Sequence, residues 1–439
     1  MRKSFFRVLV CLFTVSLLPG CTSQSDALYP YWRGGQVGYI DVTGEVVIPA
    51  RFHRGEAFGE GMAVVATGGK AWDRRWGVID ATGEYLIPPS HRYPLAYRNG
   101  RWIMIEMEED RHPPEAWLGQ SPIMPSHSFN GLRRRQPPQS DWQHYLLTDG
   151  YGEQVLPREY RALRFLSDDR IAYRRPGRDG VMDRNGEELF ICGIDYIAPE
   201  HQGVIVYRDY THGYMLVDTL GQPVVDTGFL YIAPFHQGRA FARDADGIGV
   251  IDTSGTWLAR FEGFTTNYFR SELLQVSPPH DATASGEVPV GFHLLGLDGK
   301  QTEYRVEGVG PRSQGLYPIV QGGLVGYIDD SFNIVIPCQF KVAAPEPNPF
   351  GGAPVYDLAR YCFWDGLAPM EQDGKWGYID RDGDWVIAPQ FRKAAHFQGE
   401  LALVISGLDV GYINRRGEFV WKARLNQAVP GGGVVEHLP

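Results

Sequence analysis

One five-residue core recurs along the chain, and this recurrence limits the fold more than any other feature. It reads Val37-Gly38-Tyr39-Ile40-Asp41, Trp76-Gly77-Val78-Ile79-Asp80, Val325-Gly326-Tyr327-Ile328-Asp329, Trp376-Gly377-Tyr378-Ile379-Asp380 and Val410-Gly411-Tyr412-Ile413-Asn414. A glycine stands three residues after the Asp or Asn at Gly44, Gly83, Gly383 and Gly417; after Asp329 that place is Phe332. An apolar pair and a proline follow at Val47-Ile48-Pro49, Leu86-Ile87-Pro88, Val335-Ile336-Pro337 and Val386-Ile387-Ala388-Pro389, then an aromatic at Phe52, Tyr93, Phe340 and Phe391. A last element runs from Phe58 to Ala63, Phe363 to Ala368 and Phe397 to Ala402. Weaker copies centre on Asp183, Asp218 and Asp252, and eroded ones lie at Leu147 to Pro157 and Leu295 to Gly299. Gly38 and Gly77 are 39 residues apart and Gly377 and Gly411 are 34 apart, and the whole array holds about ten units.

Each part of the repeat has a physical reading. Tyr-Ile-Asp alternates as a strand. Asp-x-x-Gly is a hairpin loop, in which the carboxylate accepts backbone N–H bonds and glycine takes the left-handed conformation. Val-Ile returns as a strand that proline ends, because proline cannot donate to a ladder. The Phe-x-x-Gly-x-Ala element makes a third strand. So small a unit cannot bury its apolar face alone and must stack on its neighbours. The fold expected is all-β: tandem three-stranded β-meanders forming a propeller-like toroid or a curved β-solenoid, since closure depends on a rotation per repeat that the sequence leaves open. Gly38, Asp41, Trp76, Gly77, Asp80, Gly326, Asp329, Trp376, Gly377 and Asp380 are expected to be structural repeat positions, with Trp packing between units. Composition agrees: 53 Gly, 31 Pro and 13% aromatic residues suit short strands joined by many turns.

The stretch from Lys375 to Phe391 closely resembles the WG (KWG) repeat of bacterial proteins, and the resemblance extends over Gly34 to Trp421. Several copies carry Val37, Val325 or Val410 in place of the Trp. The resemblance implies a repeat scaffold and little about a ligand.

The N-terminus reads as a targeting segment. Arg2, Lys3 and Arg7 precede an apolar run from Val8 to Leu18 that is too short to span a bilayer as a helix. Leu18-Pro19-Gly20-Cys21 resembles the lipobox of bacterial lipoproteins, with Cys21 as the acylated residue; the alternative is an ordinary leader with an incidental cysteine. Thr22 in place of Asp implies, by the same resemblance, an outer-membrane destination facing the periplasm. Cys192, Cys338 and Cys362 then remain; Cys338 and Cys362 either pair or stay as buried free thiols.

The organisation expected is a leader over 1–20, a lipidated linker over 21–33, repeats over 34–102, an inserted loop over 103–143, repeats over 144–425 with a second insertion at 343–361, and a flexible tail over 426–439. Long loops on rigid scaffolds often carry function. Arg133-Arg134-Arg135 in the first insertion is a candidate contact for anionic headgroups or an acidic partner. Aspartates in the same turn of each unit are structural, and Asp380 to Asp384 lacks the length and closing Glu of a calcium loop. No nucleophile elbow, phosphate loop, dinucleotide fingerprint or zinc spacing is present, so neither a cofactor nor a metal is expected. A net charge of −10 disfavours nucleic acid. These features describe a non-enzymatic, membrane-tethered binding or scaffolding module of the cell envelope, with a protein, peptide or glycan partner. The alternative is an envelope hydrolase or lyase using His112, Glu115, His127 and His144.

Overall fold

The glycine of the five-residue core decides how each sheet is built. A Cβ placed on Gly377 would lie 2.4 Å from the carbonyl oxygen of Ile387 on the neighbouring strand, and one on Gly38 would lie 2.5 Å from that of Ile48. The strand that follows therefore crosses directly over the glycine. Trp376 pairs with Phe391 and Tyr378 with Ile387, so three residues bulge opposite one glycine, and the proline sits in that bulge. Tryptophan or valine before the glycine and tyrosine after it are both buried.

The computed structural model describes residues 27–428, apart from 71–72, 107–143, 158–159, 194–195, 210, 227, 262–272, 277–290 and 343–355. These residues form ten small antiparallel sheets, each built from consecutive stretches of chain. The number equals the count of units read from the sequence. Five sheets have four strands, here called opening, second, third and closing. Sheet 2 is the pattern: Arg54–Gly55, Met62–Thr67, Arg75–Asp80 and Tyr85–Ser90. Sheets 4, 6, 8 and 10 repeat it with third strands Arg178–Asp183, Ile248–Asp252, Leu324–Asp329 and Asp409–Ile413. Sheet 1 starts at its second strand, Tyr29–Arg33. In sheets 5 and 7 isolated bridges complete the pairing, as at Tyr214 with Phe229 and Phe292 with Val306. In sheet 9 a 3-10 turn, Leu358–Tyr361, occupies the place of the opening strand.

The three-stranded unit expected from the sequence is thus corrected to four strand positions, and the repeat does not coincide with the sheet. Its Trp-Gly and Val-Ile-x-Pro parts are the third and closing strands of one sheet. Its Phe-x-x-Gly-x-Ala part leads into the second strand of the next. Each repeat therefore straddles two sheets and ties them together. The boundaries shift accordingly: Tyr29–Arg33 is a strand and not linker, Arg101–Glu106 is the second strand of sheet 3, Leu358–Tyr361 belongs to the ring, and Leu425–Ala428 is a helical turn.

Apolar clusters join every consecutive pair of sheets. Sheets 1 and 2 share Tyr39, Ile48, Val65 and Ile79; sheets 5 and 6 share Val206, Leu216, Ile232 and Ile251. The last pair closes the circle: Tyr29, Tyr31 and Ile40 pack with Leu401 and Tyr412. The Glu400 N–H donates to the Tyr29 hydroxyl at 3.2 Å, across 371 residues of sequence. The chain is therefore a closed, propeller-like toroid, and the open solenoid is excluded.

Tyrosines of the core bind each sheet to the next. The Tyr39, Tyr327 and Tyr378 hydroxyls donate to the carbonyls of Glu56 (2.9 Å), Tyr361 (2.6 Å) and Ala395 (2.7 Å) in the sheet that follows. The same rings meet Phe58, Phe363 and Phe397 at 4.8, 4.9 and 4.8 Å between centroids. Burial pushes all three hydroxyls well above the ordinary tyrosine range.

Candidate functional face

Because strands alternate in direction, the ring has two unlike faces. One carries the opening-to-second and third-to-closing turns, the other the second-to-third turns and the links between sheets.

The first is a welded turn face. Asp80 Oδ1 accepts from the N–H groups of Thr82 (2.9 Å) and Glu84 (3.0 Å), and from the Thr82 hydroxyl. Asp41, Asp329 and Asp380 accept from the residues two and four further on in the same way. The hydroxyl of Thr82 is the main cause holding the Asp80 carboxyl below its ordinary range. The turn glycine then rests on the closing strand of the preceding sheet. A Cβ on Gly83 would meet Ile48 at 3.2 Å, one on Gly383 would meet Ile336 at 2.9 Å, and one on Gly417 would meet Ile387 at 3.0 Å. At the seam Gly44, with φ +88°, would place it 2.2 Å from the Val420 carbonyl oxygen. Phe332 keeps a positive φ of 65° without a glycine, and its buried ring fills space beside sheet 7, where the closing strand is reduced to bridges. The recurring aspartates are thus spent on turn geometry.

The second is the loop face. Here sheets 1, 4 and 8 use two-residue turns: Gly34-Gly35, Pro176-Gly177 and Gly322-Gly323. Of the four longest stretches outside the described residues, 107–143, 277–290 and 343–355 connect element ends on this face, while 262–272 connects this face to Leu273, where the second strand of sheet 7 begins on the turn face. Two of them, 262–272 and 277–290, flank the short second strand of sheet 7 and were not anticipated as breaks in the repeat. Glu106 and His144 are paired in register at the base of the first.

The loop face is also basic over sheets 1 to 4. Arg33, Arg54, Arg74, Arg75, Arg92, Arg161, Arg175 and Arg178 stand at strand ends, turns or links there, against Asp73, Glu106, Asp179 and the Glu188 that pairs with Arg175 and Arg178. Several are held in place. Arg75 Nη1 donates to His91 Nδ1 at 3.0 Å, Arg92 lies 4.0 Å from Glu106, and Arg178 Nε donates to Glu188 at 2.9 Å. Arg33 and Arg54 form no ion pair among the described residues, and Arg33, Arg161 and Arg178 are exposed. Sequence reading missed this arc because its members lie up to 69 residues from their neighbours along the arc; their shared position beside strand ends was the available signal.

Of the residues singled out from the sequence, Cys21, His112, Glu115, His127 and Arg133, Arg134 and Arg135 lie outside the described residues. His144 is exposed at the start of its strand. Trp76 is buried against Tyr93 of the next sheet, and Trp376 against Tyr361 of its own sheet. Cys192, Cys338 and Cys362 are free thiols, so the Cys338–Cys362 pairing does not form. Burial pushes the Cys192 thiol up to about 12. Glu56 is buried, takes the Tyr93 hydroxyl at 3.0 Å, and links sheets 1, 2 and 3 through Tyr39 and Tyr93. Burial lowers His396, beside Trp364, to about 4. Among the described residues no group of His, Cys, Asp and Glu is arranged to hold a metal ion, and no helix is long and apolar enough to cross a membrane.

Residues 38–70, 326–348 and 376–406 match the family described as WG containing repeat. No curated protein matches the chain. Among solved structures, a eukaryotic initiation factor is similar over 92% of this chain and 97% of its own, at 12% identity and TM-score 0.44. Citrobacter koseri AztD is similar over 65% and 79%, at 15% identity and TM-score 0.26. A Listeria monocytogenes EGD-e protein is similar over 79% and 97%, at 10% identity and TM-score 0.31.

Proposed function

We propose that this WG-repeat protein is a binding or scaffolding module, tethered to the bacterial envelope through a lipid on Cys21, that docks a partner on its loop face. The observation that carries the reading is the division of labour between the faces. On one face the third-to-closing turns are held by an Asp or Asn side chain and seated on the previous sheet. On the other, three of the four longest connecting stretches, 107–143, 277–290 and 343–355, have both their attachment points. A rigid ring with variable connections gathered on one side is an arrangement suited to recognition and needs no reacting group. The tether rests on the basic start, short apolar run and Leu18-Pro19-Gly20-Cys21 of the leader.

The test is cross-linking in cells with membrane fractionation. The protein is expected in the membrane fraction and Cys21→Ser is expected to leave it. Replacement of 107–143 by Gly-Gly is structurally mild, because Glu106 and His144 already face each other and Gly34-Gly35 closes the same strand pair in sheet 1. That variant should keep its fold and lose or weaken its cross-linked partner. A partner held equally well after every loop-face change would overturn the reading.

A further inference from the structure

We infer that the arginine arc on the loop face of sheets 1 to 4 is a docking surface for an acidic protein segment. The inference rests on the binding reading above and gives its partner a chemistry.

Charge is the first support. The chain carries a net charge of −10, yet this sector holds eight arginines against four carboxylates. A basic patch on an acidic molecule attracts acidic partners and raises their rate of encounter. Preorganisation is the second. Arg75 is fixed by His91, so less side-chain entropy is lost when a carboxylate arrives. Guanidinium groups also match carboxylates in a two-point geometry.

Placement decides between partners. Tyr29 enters the ring on the turn face, where its hydroxyl meets Glu400. Seven residues separate Cys21 from Tyr29, a reach of at most about 25 Å. A lipid on Cys21 therefore draws the turn face toward its own bilayer and leaves the arc pointing away from it. The guanidinium groups sit at rigid strand ends: Arg54 and Arg92 begin opening strands, Arg75 and Arg178 begin third strands, and Arg33 ends a second strand.

The experiment uses the mature protein and fluorescein-labelled poly-L-glutamate, read by fluorescence anisotropy. Binding is expected to weaken steeply as salt rises from about 50 to about 200 mM. The triple variant Arg33→Glu, Arg54→Glu and Arg178→Glu should weaken it by at least about tenfold. A control triple on the turn face, Lys300→Glu, Arg381→Glu and Arg416→Glu, makes the same change in net charge and should leave it within about twofold. Unchanged circular dichroism in both triples shows that the ring is intact. Absent binding, or equal loss in both triples, would overturn the inference. Tighter binding of an oligogalacturonate, or of phosphatidylglycerol vesicles, at the same arginines would also overturn it. Membrane fractionation of the Cys21→Ser protein is independent of all these results, so the tethering reading stands or falls separately.

Discussion

Gly44→Ala probes the seam of the ring. Gly44 lies at φ +88°, where an alanine costs about 1–2 kcal/mol through its own backbone. Its Cβ would also stand 2.2 Å from the Val420 carbonyl oxygen and 2.8 Å from the carbonyl carbon. Neither atom is the end of a flexible side chain, so sheets 1 and 10 must part by about 1 Å. That displacement disturbs Tyr31 against Trp421, at 5.8 Å between centroids, and Tyr29 against Tyr412, at 5.6 Å. Overpacking of this kind costs a further ~1–3 kcal/mol. Gly61 is the internal control: its φ is +76° and nothing lies within 4 Å of its Cβ. Gly61→Ala should lose only the backbone component, about 1–2 kcal/mol. Urea unfolding followed by tryptophan fluorescence measures both, and the seam variant should be less stable than the control by at least about 1 kcal/mol. Two variants within about 0.5 kcal/mol of each other would refute the reasoning, because the seam contact would then carry no load.

Tyr378→Phe keeps the ring against Phe397 and removes only the bond to the Ala395 carbonyl, so it should cost about 1 kcal/mol in the same assay, whereas an unchanged midpoint would mean that the bond is not made. Asp80 and Asp252 have carboxyls held below their ordinary 3.8, first by the Thr82 and Ser254 hydroxyls. Their contribution is present above that value and is lost as pH falls through the lowered folded value, so Asp80→Asn should flatten the acid limb of stability against pH, and an unaltered limb would argue against the turn bonds. His396 is lowered from 6.5 to about 4 by burial, so its neutral ring contributes stability fully above 6.5 and loses it as pH falls toward 4. His396→Phe should reduce the slope of the urea midpoint over that interval, and an equal slope would place the wild-type ring in solvent. Cys192 and Cys362 are buried and should react with a thiol reagent only on unfolding, which stopped-flow labelling with and without urea reads directly.

Much of the fold was legible because each consensus residue answers a local demand. Asp80 and Gly83 specify their turn within four residues, and Gly377 and Pro389 specify a bulge between neighbouring strands. The number of units followed from counting such cores. The fourth strand was not legible, since opening strands such as Arg54–Gly55 are two residues long and carry no alternation to read. Nor was the offset between repeat and sheet, because Tyr39 reaches Glu56 across a boundary that exists only in three dimensions. Closure was hidden for the same reason: Tyr29 and Glu400 are 371 residues apart. Of the candidate functional residues, only those of the repeat and His144 fall within the described residues. The arginine arc shows no run in the sequence, unlike Arg133 to Arg135, because it is assembled from the ends of separate strands.

Closure of ten sheets into one ring is most directly tested by a distance between nitroxide labels on Thr43 and Arg416, exposed turn residues of sheets 1 and 10 in a protein with its native thiols replaced. Adjacent packed sheets stand about 10 Å apart, so the ring predicts a narrow distribution below about 30 Å including the label arms. A ten-sheet open array would separate the same labels by more than about 60 Å, and a dominant population at that distance would contradict the account.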